Sequence, residues 1–265
     1  MDKKKIQNKP FYQIYNNDDS ADIYIYDEIS YFDYPEMGIV SAKGFSKDFT
    51  AIKASNINIY INSPGGAVDQ GFAIYNEIKR SNARITVYID GIAASIASVI
   101  AMAADEIVIN ENALLMIHNP WMMTVGDSKE LRELADTLDK IGEQIANVYA
   151  ARSGKTVDEI KTAMAVETWF DCDEALEFGL VDTISENKAK IAACAKFDLS
   201  CFAKVPAYLE KQIEESRGVL RDAESKRSLE NSLRDVGWSK NEAKRIAAGK
   251  SVENAIEDLI TILRG

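Results

Sequence analysis

One histidine in 265 residues is so few that any imidazole chemistry in this chain must run through His118. The three cysteines, Cys172, Cys194 and Cys201, cannot all pair with one another, and no CxxC spacing or neighbouring histidine supplies a zinc set. They read as small thiols in or near a core, with no metal and no cofactor expected. Long apolar runs are missing too. The longest, 92–104, falls short of the roughly 20 residues that a bilayer span requires, and Ser95 and Ser98 interrupt it. Met1-Asp2-Lys3-Lys4-Lys5 leads into no apolar stretch, so neither a secretory leader nor a membrane partner is expected, and the implied address is cytoplasmic. Basic charge is also in short supply. The net charge is −11 and the acidic excess lies before residue 187, which argues against a grip on nucleic acid. The remainder is mildly basic and mixed in sign, as a solvated helical surface would be.

The hydrophobic fraction, 46%, is that of an ordinary folded protein, and the length suits one good-sized core with an appendage. Residues 22–29, 57–61, 85–89, 106–110 and 114–117 carry the β-branched and aromatic content of strands. Residues 46–55, 68–80, 127–152, 157–164 and 172–178 have apolar residues at helical spacing. The small-residue run 93–104 reads as a buried helix. In 127–152, Leu131, Leu134, Leu138, Ile141 and Ile145 form one stripe, and Asp127 with Glu130 suits the first turn. Gly179 is placed to end the helix over 172–178. Alternating strands and helices predict an α/β domain over 21–186, after a polar segment over 1–20. Residues 187–207 are less regular, with apolar residues able to dock on the body. Beyond them 208–234, the segment opening at Trp238-Ser239, and 252–263 read as helices of an extension over 187–265.

Three segments carry chemistry. Ser95, in Gly91-Ile92-Ala93-Ala94-Ser95, follows a strand and opens the small-residue run, where a hydroxyl meets exposed peptide N–H groups. His118, in Met116-Ile117-His118-Asn119-Pro120, is the available base; an unperturbed imidazole titrates near ~6.5, which suits that role. Asn62-Ser63-Pro64-Gly65-Gly66 supplies backbone without Cβ atoms. The N–H groups of Gly66 and Ile96 are the expected oxyanion donors. Gly65, Gly66, Ala67 and Val68 on one side, with Asn119 and Pro120 on the other, are the expected edges for an extended peptide. Taken singly, each segment has a plain structural reading: a packed serine, a core histidine, a turn. Together they form the pattern of a serine peptidase.

Those three motifs, followed by Glu174-Ala175-Leu176-Glu177-Phe178-Gly179-Leu180-Val181-Asp182, occur in an order that resembles the Clp-type serine peptidases (family S14) over roughly 20–186. The resemblance implies an α/β fold, the Clp/crotonase spiral of ββα units, while the helical C-terminal extension beyond residue 186 departs from the housekeeping type of the family. It also implies Ser95 as nucleophile, His118 as base, and a homo-oligomeric ring with the helix over 127–152 as the inter-ring handle. The third triad member departs from the family's aspartate. Setting the family's aromatic on Trp169 places the acid at Glu167; Asp171 is the rival, with helix capping as its other explanation. The segment 232–244 resembles tails of the phage branch, the head maturation (prohead) proteases. That narrower resemblance implies a capsid or scaffold protein as substrate, met in host cytoplasm or procapsid. The alternatives are a housekeeping Clp peptidase fed by an ATP-dependent unfoldase, a crotonase-like acyl-CoA enzyme, and a non-catalytic assembly protein.

Overall fold

The computed structural model describes residues 4–9, 12–16, 19–30, 41–185 and 199–211, with 227, 230, 231 and 234 in helix. The chain divides into two compact units, Met1–Leu209 and Glu210–Gly265. The helices expected after residue 237 lie outside the described residues. Residues 199–209 cluster with the body, although the sequence pattern assigns them to the extension.

Among the described residues, one mixed sheet of nine strands organises the first unit, in the order β1-β2-β3-β4-β5-β6-β9, with β7 joining β5 and β8 joining β7. β1 (Lys4–Lys9) and β2 (Tyr12–Asn16) form an antiparallel pair leading into β3 (Ser20–Ile25). The polar start expected over 1–20 therefore contributes two strands. β3, β4 (Asn56–Ser63), β5 (Arg84–Ala94) and β6 (Glu106–Asn110) run parallel. Alternation sets their faces. Ile23, Ile25, Ile59, Ile61, Val87, Ile89, Ile107 and Ile109 are all fully buried on one face. Each such side chain is worth about 1.5–3 kcal/mol on burial. On the other face the register aligns Tyr24, Tyr60 and Tyr88, whose rings stack at 4.6 and 5.0 Å.

α1 (Ala42–Phe49) contributes Phe45 and Phe49 to the core, and α2 (Val68–Lys79) contributes Ile74 and Ile78. α1 begins earlier than the periodicity suggests because Ser41 caps it, accepting from the Gly44 N–H. The helix expected over 93–104 is corrected to a shorter one, α3 (Ile96–Ala101). Ile92, Ala93 and Ala94 instead extend β5, because they pair with Leu114, Leu115 and Met116 of β7 (Leu114–Ile117).

β5 is thus a forked strand. Its first half pairs with β6 and its second half with β7. At the fork β4 loses register between Ile61 and Ser63, and the Asn62 side chain accepts the Ile92 N–H at 3.1 Å. β8 (Thr168–Phe170) runs antiparallel to β7, pairing Ile117 with Thr168 and Met116 with Trp169. β9 (Thr183–Ser185) closes the far side on β6. Strands as short as β8 and β9 leave no periodic trace in the sequence.

Three helices complete the first unit. α4 (Ser128–Ser153) has the capping box that Asp127 and Glu130 promise. Its apolar stripe is covered unevenly: Ile145, Ala146 and Tyr149 are buried, whereas Leu131 is exposed and Leu134 and Leu138 are half-buried. α5 (Val157–Ala165) follows, and then α6 (Cys172–Phe178), which ends at Gly179 with φ +86°.

Candidate active site

Register alone brings three residues to one end of the fork. Ala94 pairs with Met116 in parallel, so Ser95 and His118 leave neighbouring strands at the same edge. Ile117 pairs with Thr168 in the antiparallel sense, so His118 and Glu167 are the next opposite positions. The outcome is direct contact for one pair: His118 Nε2 lies 2.7 Å from Ser95 Oγ.

Ser95 sits between β5 and α3 with φ +56° and ψ −130°. Among the described residues, the only other non-glycine residue with positive φ is Glu167, at +52°. Such backbone costs of order 1–3 kcal/mol and persists only where its surroundings impose it. Around Ser95 the surroundings are a set of hydrogen bonds. Its N–H donates to Met116 O at 3.1 Å, and its carbonyl accepts from Ser98 Oγ at 2.6 Å.

The glycine turn packs against this elbow. Gly65 has φ +96°, and a Cβ there would stand 2.7 Å from Ala94 O and 2.8 Å from Ser95 Cβ. Gly66 has φ +140°, and a Cβ there would fall 2.0 Å from Ile29 O. Neither position has room for a side chain. Ser63 braces the turn, donating to Asp27 O at 2.7 Å and accepting from the Gly65 N–H. Ile29 forms a parallel bridge with Gly66: its N–H donates to Gly65 O, and its carbonyl accepts from the Ala67 N–H, both at 2.7 Å. Ala67 is therefore not an open edge for a peptide, since its N–H is already used. The N–H groups of Gly66 and Ile96 donate to no other described residue, as an oxyanion hole requires.

Gly65, Gly66, Ala67, Val68, Ser95, His118 and Pro120 line one cavity of about 690 Å³. Asn119 does not line it; its side is exposed, and its N–H donates to Met164 O at 3.3 Å. Four walls have no motif in the sequence to announce them: the segment 27–30, Trp121 with Met122, Cys201 and Phe202.

The two candidate acids separate clearly. Asp171 caps α6, accepting from the Glu174 N–H at 2.8 Å in a capping box. The Glu167 carboxylate lies close enough to His118 for the two charges to interact. It makes no hydrogen bond to the ring, however. Oε1 accepts from Trp169 Nε1 at 3.2 Å and from the Lys204 N–H at 2.6 Å, and Oε2 accepts from the Ala203 N–H at 2.8 Å. Burial tends to raise the Glu167 pKa; these three donors and the imidazolium charge outweigh it and hold the carboxyl below its ordinary value. Burial lowers the His118 pKa, and the opposing pull of Glu167 does not restore it. The His118 ring is thus neutral to a lower pH than an exposed imidazole.

Among the described residues there is no group of three metal-ligating side chains, and no helix is long and apolar enough to cross a membrane.

A family model for the Clp protease matches residues 48–188, a stretch that holds Gly65, Gly66, Ser95, His118 and Glu167. The chain is 36% identical over 128 residues to ATP-dependent Clp protease proteolytic subunit 1 of Protochlamydia amoebophila, covering 47% of this chain and 62% of that protein. It is 35% identical over 138 residues to the ATP-dependent Clp protease proteolytic subunit of Ligilactobacillus salivarius, covering 51% of this chain and 70% of that protein. A subunit of the same description from Pleurastrum terricola is 35% identical over 132 residues, or 67% of its length. With the matched stretch exceeding half its length and a forked α/β sheet beneath the motifs, this chain belongs to the Clp protease family.

Proposed function

We propose that the chain is a serine endopeptidase in which Ser95 attacks the scissile carbonyl and His118 takes and returns the proton. The observation that carries this reading is the 2.7 Å contact between His118 Nε2 and Ser95 Oγ at the edge of a substrate-sized cavity. The N–H groups of Gly66 and Ile96 receive the oxyanion, and water releases the acyl-enzyme. Glu167 is the acid of the triad. Its register opposite His118, its strained backbone and its depressed pKa support that role over Asp171, which the helix cap occupies. An extended peptide enters along Gly66 and Val68 and beside Pro120, Trp121 and Met122.

The relatives are named as proteolytic subunits of ATP-dependent proteases, which favours a subunit fed by an unfoldase over a protease that trims capsid proteins. The capsid reading rests on the resemblance of 232–244, most of which lies outside the described residues. Self-association fits the uncovered first half of α4, where Leu131 is 45% exposed although it belongs to an apolar stripe. Mixing the full chain with an unfoldase and ATP tests the choice. Faster degradation of a folded substrate supports the subunit reading, and cleavage of assembling capsid protein without ATP supports the other.

A further inference from the structure

Beyond the stretch matched by the family model, the chain comes back to the site. Leu199 and Leu209 are buried and anchor it at both ends. Between them a turn closes through the Phe202 N–H to Leu199 O at 3.0 Å. That turn sets the Phe202 ring edge-on to His118, with centroids 5.4 Å apart, and edge-on to Trp169 at 5.8 Å. The next two peptide groups, Ala203 and Lys204, point their N–H groups at the two oxygens of Glu167. Cys201 and Phe202 also stand in the wall of the cavity that Ser95 faces.

We propose that residues 199–204 form an internal plug that occupies a peptide-binding seat built from His118, Trp169 and Glu167. The seat takes an aromatic residue followed by two free peptide N–H groups. The plug restrains the proposed peptidase in two ways, so the inference rests on the Ser95–His118 reading. It screens the imidazole, and it engages the carboxylate that His118 needs. A triad acid works by accepting the Nδ1–H and stabilising the imidazolium of the transition state. Here charge-assisted bonds of 2.6 and 2.8 Å commit both oxygens to the plug. His118 and Glu167 are opposite positions of the β7–β8 register, so release of the plug leaves the acid beside the ring with Oε2 open and Oε1 held only by Trp169 Nε1. A peptide of the same pattern competes for the seat.

The test uses the full chain with Phe202→Ala and, separately, Ala203→Pro, which deletes one N–H donor to Glu167. Leu199 and Leu209 stay in place in both. Two readouts are taken: the rate of fluorophosphonate labelling at Ser95, and the NMR signals of the single imidazole. The expected result is labelling about tenfold faster or more in each variant, as a population shift of that size would give. The His118 Nδ1–H signal moves downfield at the same time. Adding the peptide acetyl-Ser-Cys-Phe-Ala-Lys-amide to Phe202→Ala should slow labelling again and reverse the NMR change. Labelling unchanged or slower, with the imidazole signals unmoved, overturns the plug. Imidazole signals that move in a protein whose Ser95 never labels keep the plug and reject the peptidase reading instead.

Discussion

The hydroxyl of Tyr149, on α4, lies 2.8 Å from Oγ of Ser98, on α3. Ser98 Oγ in turn reaches the Ser95 carbonyl at 2.6 Å and the Met116 carbonyl at 2.8 Å. The two hydroxyls thus join the elbow that carries the proposed nucleophile to the strand that leads to His118. Tyr149 is fully buried, and burial pushes its phenol pKa upward, so it remains a donor at any working pH. Tyr149→Phe should cost about 1 kcal/mol of stability, the net worth of one hydrogen bond. Ser98→Ala should cost more, about 1–3 kcal/mol, because it leaves a buried phenol without its best partner. Urea unfolding of the two variants checks the order. Equal losses would mean that the pair does not act as described.

The acid assignment separates activity from stability. Glu167→Gln should lower turnover at equal folded fraction, because a neutral amide cannot stabilise the imidazolium. Asp171→Ala should leave turnover per folded molecule nearly unchanged and cost about 1 kcal/mol, as the loss of a helix N-cap does. Steady-state rates paired with thermal melts check both. A crippled Asp171→Ala enzyme would reverse the assignment.

The pH dependence follows from burial. Because the folded-state pKa of His118 is lowered, the acid limb of Ser95 acylation should have its midpoint below the ~6.5 of an exposed imidazole. The unfolded chain then binds the proton more readily than the folded one. This histidine's contribution to stability therefore declines as pH falls through the ordinary imidazole range. Phe202→Ala uncovers the ring and should move the acid limb upward. Acylation rates from pH 4.5 to 8 measure this, and a wild-type midpoint at or above ~6.5 would contradict it.

Much of the scaffold can be read from local pattern. The isoleucines at 57, 59 and 61 mark β4 because their period is two, and Asp127 with Glu130 marks the start of α4 because capping is a short-range matter. The elements that could not be read depend on partners distant in sequence. Ala93 and Ala94 have the composition of a helix, yet they extend β5 because β7 pairs with them. The Ala67 N–H looks open until Ile29 arrives. The motifs single out Ser95 and His118, which the structure brings into contact, and the position of Trp169 points to Glu167, which the register sets opposite His118; their catalytic roles are proposals. The docking of Phe202 was not. Leu199 and Phe202 read as apolar residues able to cover the body, and only tertiary structure shows that Phe202 lands on His118.

The central claim is that Ser95 is a nucleophile activated by His118. Its most direct test is to treat the full-length chain with a fluorophosphonate probe and map the modified residue by peptide mass spectrometry, alongside His118→Ala. A single label on Ser95 is the expected result, with labelling in His118→Ala reduced by at least about a thousandfold, since triad members act as one unit. A label on any other serine, or equal labelling of Ser95 when the imidazole is gone, would contradict it.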